Sequence, residues 1–351
     1  MNTLCQLLGI QHPILQAPMA GAQDSAMALA VSQAGGLGAL PSAALGLDAL
    51  RLHLDVLAQS GLPYQLNAFC HAPPVPDAAA LADWHARLAP YCAEFGLDPA
   101  DLPDGPGRQP FGPVLLDLVE ACRPPVLSFH FGLPEPELLQ RVRATGAKVL
   151  ASATTVAEAL WLQERGVDAI IAQGVEAGGH RGFFLGHDTR TQMGTLALVP
   201  QIVRAVRVPV IAAGGISTAE GVAAAFALGA SGVQAGTAYL LCPESLVSPL
   251  HRAALQAEAD PARAAGTALT TVFTGGAARG ILNRAMRELG TLDNGAPAFP
   301  LASAAITALR RAAEAGGSTD FTPLWCGQNP SGCRPVGAAE ITRALAAGVP
   351  G

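Results

Sequence analysis

The chain has 351 residues, enough for one large α/β domain with an added segment or for two ordinary domains. Half of the residues are hydrophobic and 14% are charged, against about 25% in an average soluble domain, so a sizeable core is expected. The net charge is −6 with scattered basic residues, which disfavours nucleic acid as a partner, and no apolar run reaches the roughly 18 residues of a membrane span.

Short apolar runs alternate with helical patterns over the first 243 residues, which is typical of βα units on a parallel sheet. Strands are predicted at 13–19, 38–41, 64–70, 126–131, 149–153, 169–173, 208–213 and 232–236. Helices are predicted at 25–34, 47–59, 135–145, 156–165, 196–206 and 219–228. The stretch 71–125 has two helical patterns around a turn-rich centre, and we interpret it as an excursion between strands three and four.

Eight strands joined by crossovers indicate a (β/α)8 TIM barrel over residues 1–243. The alternative is an open doubly wound sheet, which would favour G-x-G-x-x-G after the first strand, where this chain has PMAGAQDS. Residues 244–310 show no strand pattern, so we expect a small helical cap on the substrate side. Residues 311–351 are expected to pack back on the barrel and to end in a helix.

Polar side chains interrupt the buried strands near their carboxyl ends, at Gln16, Asn67, His130, Gln173 and Gln234. Any one of them could simply bond neighbouring backbone, since buried polar groups need partners. Five at the end of a barrel where active sites are built favour a ligand site. Amides and an imidazole suit a neutral heteroaromatic ring such as a flavin.

Glycine turns follow the last two strands, at Gly214 and Gly215 and at Gly236 before Thr237. Loops after strands seven and eight are the recurring phosphate site of this fold, although such turns can also serve only to start a helix. A phosphate site alone does not distinguish FMN from a sugar phosphate.

Other chemistries find little support. The single lysine, Lys148, begins strand five at the wrong end of the barrel for a Schiff base, which disfavours aldolase and pyridoxal-phosphate chemistry. Glu176 is the main acidic residue at the functional end, which is too little for a hard metal, so no metal site is predicted. Seven widely spaced cysteines without C-x-x-C, and no signal peptide, indicate free thiols and a cytoplasmic location.

The segment 172–184, AQGVEAGGHRGFF, follows strand six and surrounds His180 with glycines, including Gly178 and Gly179. Such a loop can bend over a planar ligand, and an imidazole can exchange protons near neutrality. A surface loop with a solvated histidine is the plainer interpretation. His187 is interpreted as such a surface residue.

Specific motifs occur along most of the chain: PILQAPMAG, QLNAFCH, LSFHFGLP, AQGVEAGGHRGFF, PVIAAGGI, GVQAGTAYLLC, FTGGAARGILNR and PLWCGQNP. In these motifs, their order and their spacing the chain resembles the nitronate monooxygenase family, formerly the 2-nitropropane dioxygenases. The resemblance implies a TIM barrel that binds FMN noncovalently. It also implies oxidation of an alkyl nitronate, such as propionate 3-nitronate, by O2, which releases nitrite and a carbonyl compound.

Carried over residue by residue, the resemblance implies His180 as the catalytic residue and His130 as a second pocket histidine. It implies flavin contacts from Ala17, Pro18, Met19, Asn67, Gln173, Gly178 and Gly179, and phosphate-side contacts from Gly215, Gln234, Gly236 and Thr237. Relatives often carry tyrosine where Phe299 stands, which leaves the substrate open. An FMN-dependent NAD(P)H enoyl-acyl-carrier-protein or quinone reductase, and a sugar-phosphate isomerase or lyase barrel, remain as alternatives.

Overall fold

The computed structural model describes residues 2–105, 108–292 and 294–351. Its strands are β1 Ile14–Gln16, β2 Gly38–Pro41, β3 Tyr64–Phe69, β4 Val126–His130, β5 Lys148–Ala153, β6 Ala169–Gln173, β7 Gly179–His180, β8 Val210–Ala213, β9 Gly232–Ala235, β10 Thr267–Thr270 and β11 Ala278–Ile281. Its α-helices are α1 Thr3–Leu8, α2 Ser25–Gln33, α3 Leu47–Gln59, α4 Ala78–Glu94, α5 Pro113–Cys122, α6 Pro136–Ala144, α7 Val156–Glu164, α8 Thr195–Ala205, α9 Ala219–Ala227, α10 Pro249–Glu258, α11 Arg284–Glu288, α12 Ser303–Ala315 and α13 Ala338–Ala346.

Eight parallel strands form the predicted TIM barrel, in the order β1-β9-β8-β6-β5-β4-β3-β2. The two ends of this sheet meet at Leu37, whose N–H donates to Ile14 and whose carbonyl accepts from Gln16, both at 2.9 Å. Parallel pairing sets the carboxyl ends of the strands on one rim, as the partners Asn67 and Ser128 illustrate. The eight-stranded barrel prediction is therefore confirmed.

Alternation along the strands separates two cores. The inward residues Leu15, Val126, Leu150, Ile171 and Ile211 fill the lower barrel together with side chains of α1, which plugs the amino end. Their outward neighbours pack against the surrounding helices in a larger cluster. Because inward positions recur every second residue, the next inward positions toward the rim include Ser128, His130, Ser152, Gln173 and Gln234.

A second layer lies beyond the rim and corrects the expectation of a purely helical segment at 244–310. Strands β10 and β11 pair antiparallel, and β11 continues the sheet to β7. Strand β7 lies in the connection 174–194 between β6 and α8, which we call the histidine loop. Each strand is short and shows no apolar run, and β7, the second partner of β11, lies about a hundred positions away in the chain. Local patterning therefore gave no signal of this sheet.

The excursion also contributes to this layer. Trp84 and Leu88 of α4 share a buried cluster with Phe273, Ile306 and Phe321. The C-terminal helix α13 packs against α2 and α9. The boundaries at 243 and 310 stay a prediction. Within the described residues, no helix combines the length and the apolar character that crossing a membrane would require.

Candidate active site

A cavity of about 480 Å³ opens at the carboxyl ends of the barrel strands, a size typical of small-ligand sites. The structure brings thirteen of the fourteen predicted site residues to its wall, namely Ala17, Pro18, Met19, Asn67, His130, Gln173, Gly178, Gly179, His180, Gly215, Gln234, Gly236 and Thr237. The remaining one, Phe299, lies behind this wall. The described wall also carries Arg108 and Arg310 and no carboxylate, so the cavity favours an anionic ligand.

His180 is held at the end of β7 with its ring on the cavity wall. Its Nε2 lies 2.9 Å from Thr274 Oγ1, while Nδ1 has no hydrogen-bond partner among the described residues. Burial lowers the pKa of His180 well below its usual range, and the nearby cation Arg108 and the imidazole of His130 add to this. His180 is therefore neutral near pH 7, which suits accepting a proton or a hydrogen bond and does not suit charge pairing as an imidazolium.

His130 lines the same cavity, but both of its ring nitrogens are engaged inside the protein. Nδ1 lies 3.0 Å from Ser152 Oγ, and Nε2 lies 3.1 Å from the carbonyl of His180. Burial lowers the pKa of His130 to about 4. The bond to a carbonyl requires Nε2–H, so the neutral ring supports the main chain of His180 and has no nitrogen left for a substrate.

The amide of Gln173 is also committed to the histidine loop. Its Nε2 donates to the carbonyl of His180 at 3.0 Å, and its Oε1 accepts from the N–H of Gly182 at 2.8 Å. The fully buried Arg181 donates to the carbonyls of Gln173 and Gly174 at 2.7 and 2.6 Å. Two side chains thus fix the loop to the end of β6 and aim His180 into the cavity.

The other three predicted amides differ in which of their polar atoms lack a hydrogen-bond partner. Gln234 has a buried Oε1 without a hydrogen-bond partner in the described part of the chain. Asn67 donates from Nδ2 to Ser128, and no described residue donates to its oxygen. Gln16 faces away from the cavity and bonds Gln23 and the N–H of Ala39. Because a buried acceptor without a partner is unfavourable, the oxygen of Gln234 is the atom that most clearly favours a ligand with an N–H or O–H donor.

The glycine turns bring backbone close to the cavity. Gly214 and Gly215 have φ values of 117° and 69°, a region that favours glycine. The N–H groups of Gly215 and Gly236 have no bond to the described residues, and α9 begins four residues after Gly215. Asn329 donates to the carbonyl of Gly215 at 2.8 Å and fixes this turn. Free N–H groups beside a helix start favour an anion such as phosphate.

The family's sequence model matches residues 1–348 under the description nitronate monooxygenase. This chain belongs to the nitronate monooxygenase family. It is 41% identical to the nitronate monooxygenase of Pseudomonas aeruginosa, over 97% of each chain. Its structure resembles nitroalkane oxidase from Streptomyces ansochromogenes with a TM-score of 0.87 and 36% identity, covering 98% of this chain and 96% of that one. FabK from Thermotoga maritima matches with a TM-score of 0.72 and 27% identity, over 98% and 94%.

Nitronate monooxygenases are a family of flavin-dependent oxidoreductases, and oxidation of nitronates is their common reaction. In this member, Phe299 lines a second cavity of about 640 Å³ instead of the first. Its ring centroid lies 5.1 Å from that of His180 and 4.8 Å from that of His71. Gly276 allows this placement, because a Cβ there would lie 3.0 Å from the Phe299 ring.

Several residues that line the cavity or support its wall were not among the predicted site residues. Glu158 is buried and accepts four hydrogen bonds, from Thr154, Phe184 and Leu185. Glu176 accepts from the N–H and hydroxyl of Thr195 and so caps α8. Arg108 comes from the long excursion. The signal available for Glu158 was a charge inside the apolar pattern of a helix, whereas Arg108 had no local signal.

Proposed function

We propose that this protein uses FMN and O2 to oxidise alkyl nitronates, such as propionate 3-nitronate, to an aldehyde or ketone with release of nitrite. The observation that carries the proposal is a single cavity that gathers a neutral histidine, an amide with an unused oxygen and glycine turns with free N–H groups. Membership of the nitronate monooxygenase family supports the reaction class. The cofactor and products are the proposed part.

The cavity residues fit FMN in their chemistry. The free Oε1 of Gln234 would accept an N–H or O–H of the cofactor, and the glycine turns would bind its phosphate. A side chain at Gly236 would crowd the wall, since a Cβ there would lie 3.3 Å from Ala17 and 3.6 Å from Met19 Sδ. Gln173 would act indirectly, by holding the histidine loop against the cofactor.

When bound, FMN would supply the electron transfer between nitronate and O2, which no side chain can perform. The protein's part is to place the anionic substrate and to exclude water. His180 presents neutral Nδ1 to the cavity, and Thr274 fixes the ring orientation through Nε2. If a neutral nitroalkane is offered, His180 is the group that would take its α-proton.

The test begins with the purified protein and its absorbance. We expect a yellow holoenzyme that consumes O2 and releases nitrite from propionate 3-nitronate in the absence of NADH. A flavin that is bleached anaerobically by NADH, without nitrite release from nitronates, would favour the reductase alternative. A colourless protein that does not bind added FMN would overturn the proposal and favour a sugar-phosphate barrel.

Riboflavin is the matched probe for the phosphate site. It carries the same ring system without the phosphate, so it should bind the apoprotein at least about tenfold more weakly than FMN, since charge-assisted hydrogen bonds are lost. Equal affinity would exclude the glycine turns as the phosphate site. The cytoplasmic location remains part of this proposal and rests on the seven cysteines, which are free thiols in the structure.

A further inference from the structure

Arg108 is a cation on the cavity wall with no role in the site described above. It lies in the excursion between β3 and β4, close to where that loop is tied to the rim. His71 Nε2 lies 3.1 Å from the carbonyl of Arg108, and the N–H of Phe111 donates to the carbonyl of Phe69 at 2.7 Å. Two hydrogen bonds therefore fix the part of the excursion around Arg108 to the end of β3.

The guanidinium of Arg108 has neither a hydrogen bond nor an ion pair to any described residue. Arg310, the other arginine on the wall, donates from Nε to Glu314 at 2.8 Å. Burial lowers the pKa of Arg108, and the charge of Arg108 helps to lower the pKa of His71 and of His180. Partial burial of an unpaired cation beside two imidazoles costs free energy, and binding of an anion would offset that cost.

The strand order separates Arg108 from the proposed phosphate site. In the closed barrel, β3 is diametrically opposite β8, and β4 is opposite β9. The glycine turns follow β8 and β9, whereas Arg108 belongs to the connection between β3 and β4. An anion bound by Arg108 would therefore differ from a phosphate bound at the glycine turns.

Arg108 and His180 would also contact different groups of the substrate. The Phe299 ring contacts those of His71 and His180 at centroid distances of 4.8 and 5.1 Å, and His71 Nε2 bonds the backbone carbonyl of Arg108. Arg108 and His180 line one cavity, and the charge of Arg108 acts on His180, so a nitronate bound at His180 leaves Arg108 for a second group of the same substrate. A guanidinium fork matches the geometry of a carboxylate.

We propose that Arg108 is a specificity-determining residue that binds a second anionic group, a carboxylate, on the alkyl chain of the nitronate. This inference rests on the proposed function. It predicts that the enzyme prefers propionate 3-nitronate to propyl-1-nitronate, which has a chain of similar length without the carboxylate. Arg108→Met keeps much of the stem and removes the fork, and should reduce that preference in kcat/KM by about 10- to 100-fold.

Two further variants sharpen this comparison. Arg108→Lys keeps a charge without the fork and should retain an intermediate preference. Arg141→Gln removes a surface arginine that pairs with Glu120 and does not line the cavity, and should change the preference by less than about twofold. Equal loss on both substrates in Arg108→Met, or no preference in the wild type, would overturn the proposal.

Ligand binding separates this inference from the proposed function. Succinate carries two carboxylates and butyrate one, and both can be titrated into the flavin-loaded holoenzyme by its absorbance spectrum. We expect succinate to bind more tightly than butyrate, and Arg108→Met to remove that difference. If the wild type oxidised neither nitronate, the proposed function would fail while this titration still tested Arg108. Loss of the flavin itself from Arg108→Met would assign Arg108 to the cofactor instead.

Discussion

At the scale of single residues, the neutral state of His180 decides what it can do. Burial and the neighbouring cationic Arg108 disfavour the imidazolium, so the ring can accept a proton or a hydrogen bond at neutral pH. We expect His180→Asn to lower kcat/KM about 10²-fold for a nitronate. The loss should be larger, up to about 10⁴-fold, for a neutral nitroalkane that must first lose its α-proton. Nitrite release under saturating O2 measures both.

His187 provides the matched control for that substitution, because it is an exposed histidine in the same loop. His187→Asn should leave both rates within about twofold of the wild type. A His180→Asn enzyme with wild-type nitrite release would show that the imidazole takes no part in the reaction. Equal losses on the two substrates would show that His180 positions the substrate and does not act as a base.

Alternation along the strands distinguishes amides that residue type alone does not. Gln16 and Gln234 look alike in sequence, since each is a glutamine near the end of an apolar strand. Leu15 points into the barrel, so its neighbour Gln16 must point outward, and the structure has it bonded to Gln23. Gln234 lies two positions beyond the inward Gly232 and reaches the cavity. Counting inward and outward positions along each predicted strand would have distinguished Gln234 from Gln16 in the sequence.

At the scale of elements, the histidine loop depends on Glu158 of α7. Its carboxylate joins the end of β5, through Thr154, to the loop, through the N–H groups of Phe184 and Leu185. Glu158→Gln replaces one acceptor oxygen by a donor, which leaves buried N–H groups without a partner. We expect the free energy of unfolding to fall by about 1–3 kcal/mol and FMN to dissociate more readily.

Urea unfolding of the apoprotein and of the FMN-loaded protein measures these two effects. Glu164→Gln is the control, because Glu164 lies on the same helix with a side chain that is 73% exposed. That variant should unfold within about 0.5 kcal/mol of the wild type. An unchanged midpoint in Glu158→Gln would mean that the four hydrogen bonds do not hold the loop.

The contact between the histidine loop and the C-terminal segment depends on Gly178. A Cβ at this position would lie 2.6 Å from the nitrogen of Gly327 and 2.7 Å from the carbonyl carbon of Cys326, both backbone atoms. Gly178→Ala must push the two segments apart, so we expect about 1–3 kcal/mol lower stability and at least tenfold weaker FMN binding. Fluorescence titration of the apoprotein with FMN measures the affinity.

Gly186→Ala is the control within the same loop, because a Cβ there meets nothing within 4 Å and its φ needs no glycine. It should bind FMN as the wild type does. If Gly178→Ala bound FMN equally well, the packing of Gly327 on the loop would have no bearing on the cofactor.

How far the sequence predicts each element follows from where its partners lie. The barrel strands are buried on both faces and show their apolar runs locally, so the predicted strands match the observed ones within about three residues. Strands β10 and β11 were missed because each is short and shows no apolar run, and because the second partner of β11, β7, lies far away in the chain. Arg181 and Glu158 were missed because they bond backbone groups that only the folded loop presents.

At the scale of the whole molecule, one cavity draws on three parts of the chain. The barrel rim supplies Gln234 and the glycine turns, and the C-terminal segment supplies Gly327 and Asn329. The second layer holds the ring of His180 through Thr274. The sequence predicted the rim, because barrel strands end there in order. It did not predict how the other two parts close over it, since that depends on contacts between distant segments.

Acid should begin to destabilise the folded protein at a higher pH than protonation of its surface carboxylates would. Burial lowers the pKa of His130 and of His251 to about 4, and lowers that of His180 as well, against about 6.5 in the unfolded chain. The unfolded state therefore binds more protons below pH 6.5. The stability is fully present above that pH and declines as the pH falls toward 4, by about 1–2 kcal/mol per histidine at pH 5.

Urea midpoints of the apoprotein between pH 7.5 and pH 5 measure this decline, with His251→Gln as the informative variant. His251 is 8% exposed, lines the cavity and carries a buried Nε2 without a partner among the described residues. Glutamine cannot protonate, so the variant should lose less stability on acidification than the wild type, whatever its stability at pH 7.5. Parallel curves would mean that His251 titrates normally in the folded protein and that the acid sensitivity lies elsewhere.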